Sequence, residues 1–357
     1  MFIEIWPRTD VQCHTRHVPR SAQPTQPTGV ESPASDAEAG HFPASLLYSA
    51  AKLYYSEDAT QAEVAAQLGT SRATVSRLLA EAKRRGIVRI EVVPPAEVAS
   101  GDVADRLTRA LALTKVYLSH PLPNPGPGRS ILDVMGGALA PAVGRALSAA
   151  GLLPGDVLLV SSGRTVYEVA QYDLVSLPGV LVAPTVGGND QPEEWYQTNE
   201  ITRLVANRIG GRPNYLFAPA LPGPELHPSL INDPSIQRVL QLWPRARCAL
   251  MGVGAPPLMR SDIPSFVPTV SNSLRDSVGD VCSRFFDRAG DGIDFEGSDR
   301  LIAVELETLR HVPVTIAVAV GREKIDSLVT GAKGGYFNQM VTDPATAAAI
   351  LESIEGA

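Results

Sequence analysis

The sequence predicts an α/β chain in two parts, a small helical head that ends in a short strand and a larger domain on a mostly parallel sheet. Three observations predict it. Between residues 44 and 86 apolar side chains recur at helical spacing, broken by turn residues. Beyond residue 96, helical patterns alternate with short, wholly apolar runs rich in β-branched residues. These runs end in Gly, Ser or Asn, and such alternation is how a parallel sheet covered on both faces reads in sequence. The larger domain is therefore expected to be Rossmann-like.

Bulk composition fits this plan. Of the 357 residues 44% are hydrophobic and 19% charged, enough for a sizeable core and incompatible with a largely disordered chain. The formal net charge of -7 excludes nucleic-acid binding over the whole surface, so any basic footprint is local. No apolar run approaches the ~18 residues that cross a bilayer. A membrane partner is not expected, and MFIEIWPRTD lacks the charged-then-apolar order of a secretory signal. Cys13, Cys248 and Cys282 are scattered and odd in number, which argues against a disulfide framework and for a cytoplasmic location.

In chain order, residues 1–43 are rich in Pro, Ser, Thr, Gln and Ala without apolar periodicity, and are expected to be a disordered tail. Cys13, His14 and His17 lie there, but a zinc site needs a fourth ligand and a rigid frame, so no metal and no cofactor are expected. Residues 44–95 form the head. Leu46, Leu47, Ala50, Ala51 and Tyr54 mark its first helix. Thr60 and Glu63 are spaced as a capping box for the second, whose apolar stripe is Val64, Ala65 and Leu68. Gly69 stands where the turn needs a positive φ, and Ser71 is a strong N-cap for the third helix. Val75, Leu78 and Leu79 pack back. Gly86 stops the helix, Ile87–Val93 alternate as a strand, and Pro94-Pro95 end it.

That pattern is a winged helix–turn–helix. It leaves Arg72, Ala73, Thr74, Ser76 and Arg77 facing outward near the start of the third helix, where short polar side chains reach base edges in a major groove. Thr60, Ser71 and Arg89 complete the expected DNA-binding set, with Lys83, Arg84 and Arg85 as further backbone contacts. Charge agrees locally, since residues 44–95 hold seven Lys/Arg against five Asp/Glu.

Residues 96–357 form the second domain. Helical patterns at 98–113, 131–150 and 199–209 alternate with VLLV (157–160), VLVA (180–183), CALMGVG (248–254) and VTIAVAVG (314–321). GDVLLVSSGRTVYEVAQ (155–171) reads as strand, polar turn and helix, a cradle for phosphate from Ser161, Ser162, Gly163, Arg164 and Thr165. It is no nucleotide P-loop, because the spaced Gly-Lys-Ser/Thr ending is missing. PTVGGND (184–190), with Gly188, and GVGAP (252–256) follow strands in the same sense, and such turns gather at the carboxyl edge of a parallel sheet. Asp280 is suited to accept from sugar hydroxyls and Lys333 to neutralise a phosphate.

The run AAKLYYSEDATQAEVAAQLGTSRATVSRLLAEAKRRGIVRI resembles the DNA-binding domain of the SorC family of bacterial sugar-responsive transcriptional regulators. The tyrosine pair, VSRLL and GIVRI carry the resemblance, which extends over residues 44–357. It implies a second domain like a sugar-phosphate isomerase in fold that senses a phosphorylated sugar without converting it. By resemblance, QTNEITRLVANRIGG carries a ligand-facing Asn199, VGDVCSRFFD an acidic contact at Asp280, and AKGGYFNQMVTD a basic contact at Lys333. Ser161 departs from the family's usual glycine, and Gly163 and Thr165 are the surer matches.

The reading is a regulator with no catalytic residues. Two heads of a homodimer or homotetramer meet double-stranded DNA at a palindromic operator, and a phosphorylated sugar effector biases that binding. The alternative is a sugar-phosphate isomerase-like enzyme with an appended DNA-binding head. Its base and proton shuttle would have to come from Asp280 and Asp190, with His227 and His311 in unrelated segments. A DNA-associated structural protein is the third class, and it would not need the converging polar turns.

Overall fold

The computed structural model describes residues 42–88, 96–126, 130–260, 263–268 and 272–356, with backbone alone for 96–100. It divides into two units between Val92 and Val93.

The head comprises α1 (Ala44–Tyr55), α2 (Gln61–Gln67) and α3 (Arg72–Arg84). The capping box is formed. The Thr60 N–H donates to the Glu63 carboxylate at 2.8 Å, and the Glu63 N–H to the Thr60 hydroxyl at 3.4 Å. Gly69 has a φ of +62°, and the Ser71 hydroxyl accepts the Thr74 N–H at 3.1 Å. Leu47, Ala50, Val64, Ala65, Val75, Leu78, Leu79 and Ala82 close the core. Past α3, Gly86 turns left-handed at +73° and the Ile87 N–H returns to the Ala82 carbonyl. Of the expected strand only Ile87 and Val88 are described, so the wing, with Arg89, lies outside the described residues, as do Cys13, His14 and His17.

The second unit runs α4 (Ala96–Ala110), β1 (Lys115–Leu118), α5 (Met135–Ala149), β2 (Val157–Val160), α6 (Arg164–Ala170), β3 (Leu181–Pro184), α7 (Thr198–Ile209) and β4 (Arg212–Pro213). It continues with α8 (His227–Asn232), α9 (Pro234–Leu240), β5 (Ala246–Gly252), β6 (Gly279–Val281), β7 (Arg284–Phe286) and β8 (Gly292–Ile293). It ends with α10 (Leu306–His311), β9 (Val314–Val318), α11 (Ile325–Lys333), β10 (Gln339–Thr342) and α12 (Pro344–Glu355). Seven strands form one parallel sheet in the order β1-β10-β9-β5-β2-β3-β4.

The period-2 alternation of the apolar runs divides them between two cores. Val157 and Leu159 of β2, Ala249 and Met251 of β5, and Ala317 of β9 enter the core that includes Leu107, Val239, Leu328 and Ile350. Leu158 and Val160, Cys248 and Leu250, and Ile316 and Val318 enter the other, with Met135, Leu139, Val169 and Val205. Wholly apolar strands are thus the requirement of a sheet buried on both faces.

From β2 the chain proceeds to β3 and β4 on one side, whereas β5, β9 and β10 build the other. The order therefore reverses between β2 and β5, the position at which open α/β sheets leave a crevice beyond their carboxyl ends. A separate antiparallel sheet, β6-β7-β8, is joined to the chain just after β5 by an antiparallel bridge between Asp280 and Gly254. Its two-residue tip, Cys282–Ser283, has φ of 53° and 62°, the primed-turn geometry that matches hairpin twist. The tip is buried, with Cys282 Sγ 3.5 Å from Met251 Sδ.

Candidate functional site

On the head, Arg72, Ala73, Ser76 and Arg77 are exposed on one end of α3, while Val75, Leu78 and Leu79 anchor the opposite face. Arg72 and Arg77 make no ion pair or hydrogen bond within the described residues. The other cations of α3 are engaged. Arg84 and Arg85 both pair with Glu81, Arg85 also donates to the Phe42 carbonyl at 3.1 Å, and Lys83 lies 5.7 Å from the Tyr55 ring. The Arg85 hydrogen bond is the largest cause holding Glu81 below its ordinary carboxyl range. Thr74 is half-buried with its hydroxyl 2.9 Å from that of Ser71, and Thr60 is occupied by its capping box. Two free guanidiniums flanked by small side chains at a helix start are chemically suited to a duplex.

In the second unit, β2 delivers its polar turn to the switch point. The buried Ser161 hydroxyl accepts the Gly252 N–H at 3.0 Å and donates to the Ser162 carbonyl at 2.9 Å. Here the departure from glycine has a local job, because the side-chain oxygen ties the end of β2 to the end of β5. Gly163 has a φ of +117°, which side chains rarely adopt, and its N–H donates to the Trp195 carbonyl at 2.9 Å. Ser162 is half-buried and Thr165 buried. Arg164 does not hang free. It pairs with Asp133 at 2.5 Å, approaches Glu168 at 3.6 Å and stacks on Trp195, its guanidinium carbon 4.4 Å from the ring. Burial raises the Glu168 carboxyl despite that neighbouring charge.

Asp280 lies on β6, mostly buried, and accepts from Arg260 at 2.7 Å. It adjoins the extension of β5, since the Gly254 N–H donates to the Asp280 carbonyl at 2.9 Å. A Cβ at Gly254 would overlap the Asp280 carboxylate and the Arg260 guanidinium. Arg260 had no signal in the sequence beyond being a lone cation after two prolines.

Three sequence expectations meet a different geometry. The Gly188 N–H is taken by the Ala218 carbonyl and its own carbonyl by the Ala220 N–H, both at 2.7 Å, so its backbone holds a loop rather than an open position. The tight approach belongs to Gly187, where a Cβ would fall 2.7 Å from the Ala218 oxygen. Asn199 accepts the Leu216 N–H at 2.9 Å and donates to the Leu216 carbonyl at 3.2 Å, a brace between α7 and the chain after β4. Lys333 is exposed at the last turn of α11. Because α11 leaves the carboxyl end of β9 and leads to the start of β10, Lys333 sits at the amino edge of the sheet, about 13 Å along the helix from the switch-point side. The half-buried Lys324, just after Gly321, is the lysine at the carboxyl edge. The sequence reading passed over it because α11 was not recognised.

A cavity of about 850 Å³ opens between the 256–259 turn, the start of α11 and the β7–β8 turn, and none of the site residues expected from sequence lines it. Asp190 accepts from the Ser265 hydroxyl, His227 begins α8 and His311 ends α10 with Nδ1 2.8 Å from the Glu307 carbonyl. Cys248 and Cys282 are buried thiols pushed up to about 12 by desolvation. Among the described residues no cluster of three His, Cys, Asp or Glu could hold a metal ion, and no helix is long and apolar enough to cross a membrane.

Residues 122–352 match the family model described as "Putative sugar-binding domain", and residues 53–96 match that of the MarR family. The chain is 31% identical over 319 residues to the deoxyribonucleoside regulator of Bacillus subtilis (strain 168), covering 87% of this chain and 98% of that one. It is 28% identical to the sorbitol operon regulator of Klebsiella pneumoniae, covering 86% and 98%. The crystal structure of the full-length sorbitol operon regulator SorC from Klebsiella pneumoniae superposes with a TM-score of 0.62 at 27% identity, over 86% of this chain and 98% of that one. The chain therefore belongs to the SorC family of transcriptional regulators, with a DNA-binding helix–turn–helix head and a sugar-binding domain.

Proposed function

We propose that this regulator binds a palindromic operator as a homodimer or homotetramer in the cytoplasm, and that a phosphorylated sugar in the second domain sets its operator affinity. The head is residues 44–95, the effector and assembly domain 96–357, and residues 1–43 a tail. One observation carries the effector reading. Around the β2/β5 reversal, the Ser161–Thr165 turn, the Asp280–Arg260 pair and Lys324 come from four separate stretches of chain to one sheet edge. Hydroxyls, a carboxylate and cations together match a ligand that bears both sugar hydroxyls and phosphate. Ser162, Gly163 and Thr165 serve the phosphate, Asp280 the hydroxyls, and Lys324 takes the basic role assigned to Lys333 by resemblance. Arg164 joins them if phosphate displaces Asp133, while Gly188 and Asn199 act by bracing the loops around the site. At the duplex, Arg72, Ala73, Ser76 and Arg77 face the bases, Thr60, Ser71 and Thr74 set the helix ends, and Arg89 adds a backbone contact.

The ligand changes DNA affinity only by binding one arrangement of the assembly more tightly than another, and about 3 kcal/mol of difference moves the ratio by about two orders of magnitude. The test is a panel of sugar phosphates read by thermal shift, turnover and operator binding on the full chain. Stabilisation with altered operator binding and no turnover is expected. Turnover of any compound would make the protein an enzyme, and a panel without effect would remove the effector reading.

A further inference from the structure

Trp195 lies against the Ser161–Thr165 turn without being part of it. Its carbonyl accepts the Gly163 N–H at 2.9 Å and its ring stacks on Arg164 at 4.4 Å. Its indole N–H is buried and has no hydrogen-bond partner among the described residues. Trp243 makes the contrast, since its Nε1 donates to the Pro184 carbonyl at 2.8 Å. Buried donors in folded proteins are almost always paired, by protein, water or ligand, so an orphan beside a binding turn asks for an acceptor. Arg164 Nε beside it is also buried and without a hydrogen bond.

The segment that presents this indole is tied down. The Gln197 side chain donates to the Gln191 carbonyl at 2.5 Å, the Ser265 N–H to the Gln191 side chain at 2.8 Å, and the Tyr167 hydroxyl to Glu194. The donor is therefore held in place rather than swinging freely.

We infer that Trp195 is a specificity-determining residue of the effector site, whose indole N–H donates to a phosphate or hydroxyl oxygen of the ligand while its ring stays on Arg164. This rests on the effector reading given above. It adds a neutral donor that selects an acceptor by position, beside cations that attract any anion.

The test is Trp195→Phe in the full chain, which keeps an aromatic ring beside Arg164 and the backbone carbonyl and removes the N–H together with the pyrrole ring that carries it. Binding of ribose 5-phosphate, glucose 6-phosphate and inorganic phosphate is measured by calorimetry for both proteins. A sugar phosphate that binds the wild type should bind the variant about tenfold more weakly. Loss confined to the sugar phosphates assigns the contact to a hydroxyl, and equal loss for inorganic phosphate assigns it to the phosphate. Unchanged affinity overturns the inference alone and leaves water as the partner. A wild type that binds none of the three overturns the effector reading and this inference together. Should the variant not fold, 5-fluorotryptophan labelling of the wild type, assigned with Trp6→Phe and Trp243→Phe, gives a resonance for Trp195 that should move on binding. An unmoved resonance with a bound probe overturns the inference.

Discussion

The Ser161 hydroxyl accepts the Gly252 N–H at 3.0 Å, joining the carboxyl ends of two strands that are neighbours in the sheet but far apart in sequence. Ser161→Ala leaves that N–H without its acceptor beside a buried position. Unfolding in urea should show a loss of about 1–3 kcal/mol with an unchanged slope. An unshifted midpoint would mean that the seam contributes nothing.

Arg72 and Arg77 are the unpaired cations at the start of α3, whereas Arg84 is held by Glu81. Arg72→Ala and Arg77→Ala should each weaken operator binding, by roughly 1–3 kcal/mol for a base contact or by a salt slope reduced by about one for a phosphate contact. Arg84→Ala should change it little. Fluorescence anisotropy on an operator selected from a random library checks this, and equal effects at all three positions would contradict the face assigned to α3.

Lys324→Ala should abolish stabilisation by a sugar phosphate, while Lys333→Ala should keep it. At a hundredfold excess over its dissociation constant a ligand contributes about 2.7 kcal/mol, well within reach of a thermal shift. The reverse pattern would restore the lysine that resemblance suggested.

Asn199 makes two hydrogen bonds to the backbone of Leu216. Asn199→Ala should destabilise the ligand-free protein by about 1–3 kcal/mol by leaving those groups unmatched. A direct ligand contact predicts instead an unchanged melting temperature and a weaker ligand response.

Glu63 is held below its ordinary carboxyl value of 4.5, first by the Thr60 backbone N–H and then by its hydroxyl. A carboxyl lowered by folding supports the folded state above its unfolded value, and that support fades as pH falls through the folded value. The difference in head stability between wild type and Glu63→Ala should therefore be constant from neutrality to about pH 5 and shrink below 4.5. Melting curves of the two proteins across that range decide it, and a difference that grew in acid would have the wrong sign.

Much of this architecture was legible because its signals are local. VLLV lies between a Gly-Asp turn and Ser-Ser-Gly, and β2 occupies those four residues. Thr60, Gly69 and Ser71 are caps and turns whose partners stand within a few residues. What was not legible depends on distant chain. β1 and β10 are four-residue strands without a long apolar run, and β6–β8 are shorter still, fixed by packing on α11 and β5. The brace from Asn199 to Leu216 and the pair from Asp280 to Arg260 join segments about twenty residues apart, with no spacing rule to announce them. Lys324 and Lys333 stand at opposite ends of α11, and that has meaning only once the sheet's direction is known.

The edge strand β1 finds its neighbour in β10, Lys115 beside Gln339. About 220 residues separate the two strands, so β1 has no neighbour on that side until the chain has grown that much further, and pairing between such remote segments is intrinsically slow. The finished head emerges first and waits, and the interval during which bare β1 backbone is exposed is when the nascent protein is most in need of a chaperone.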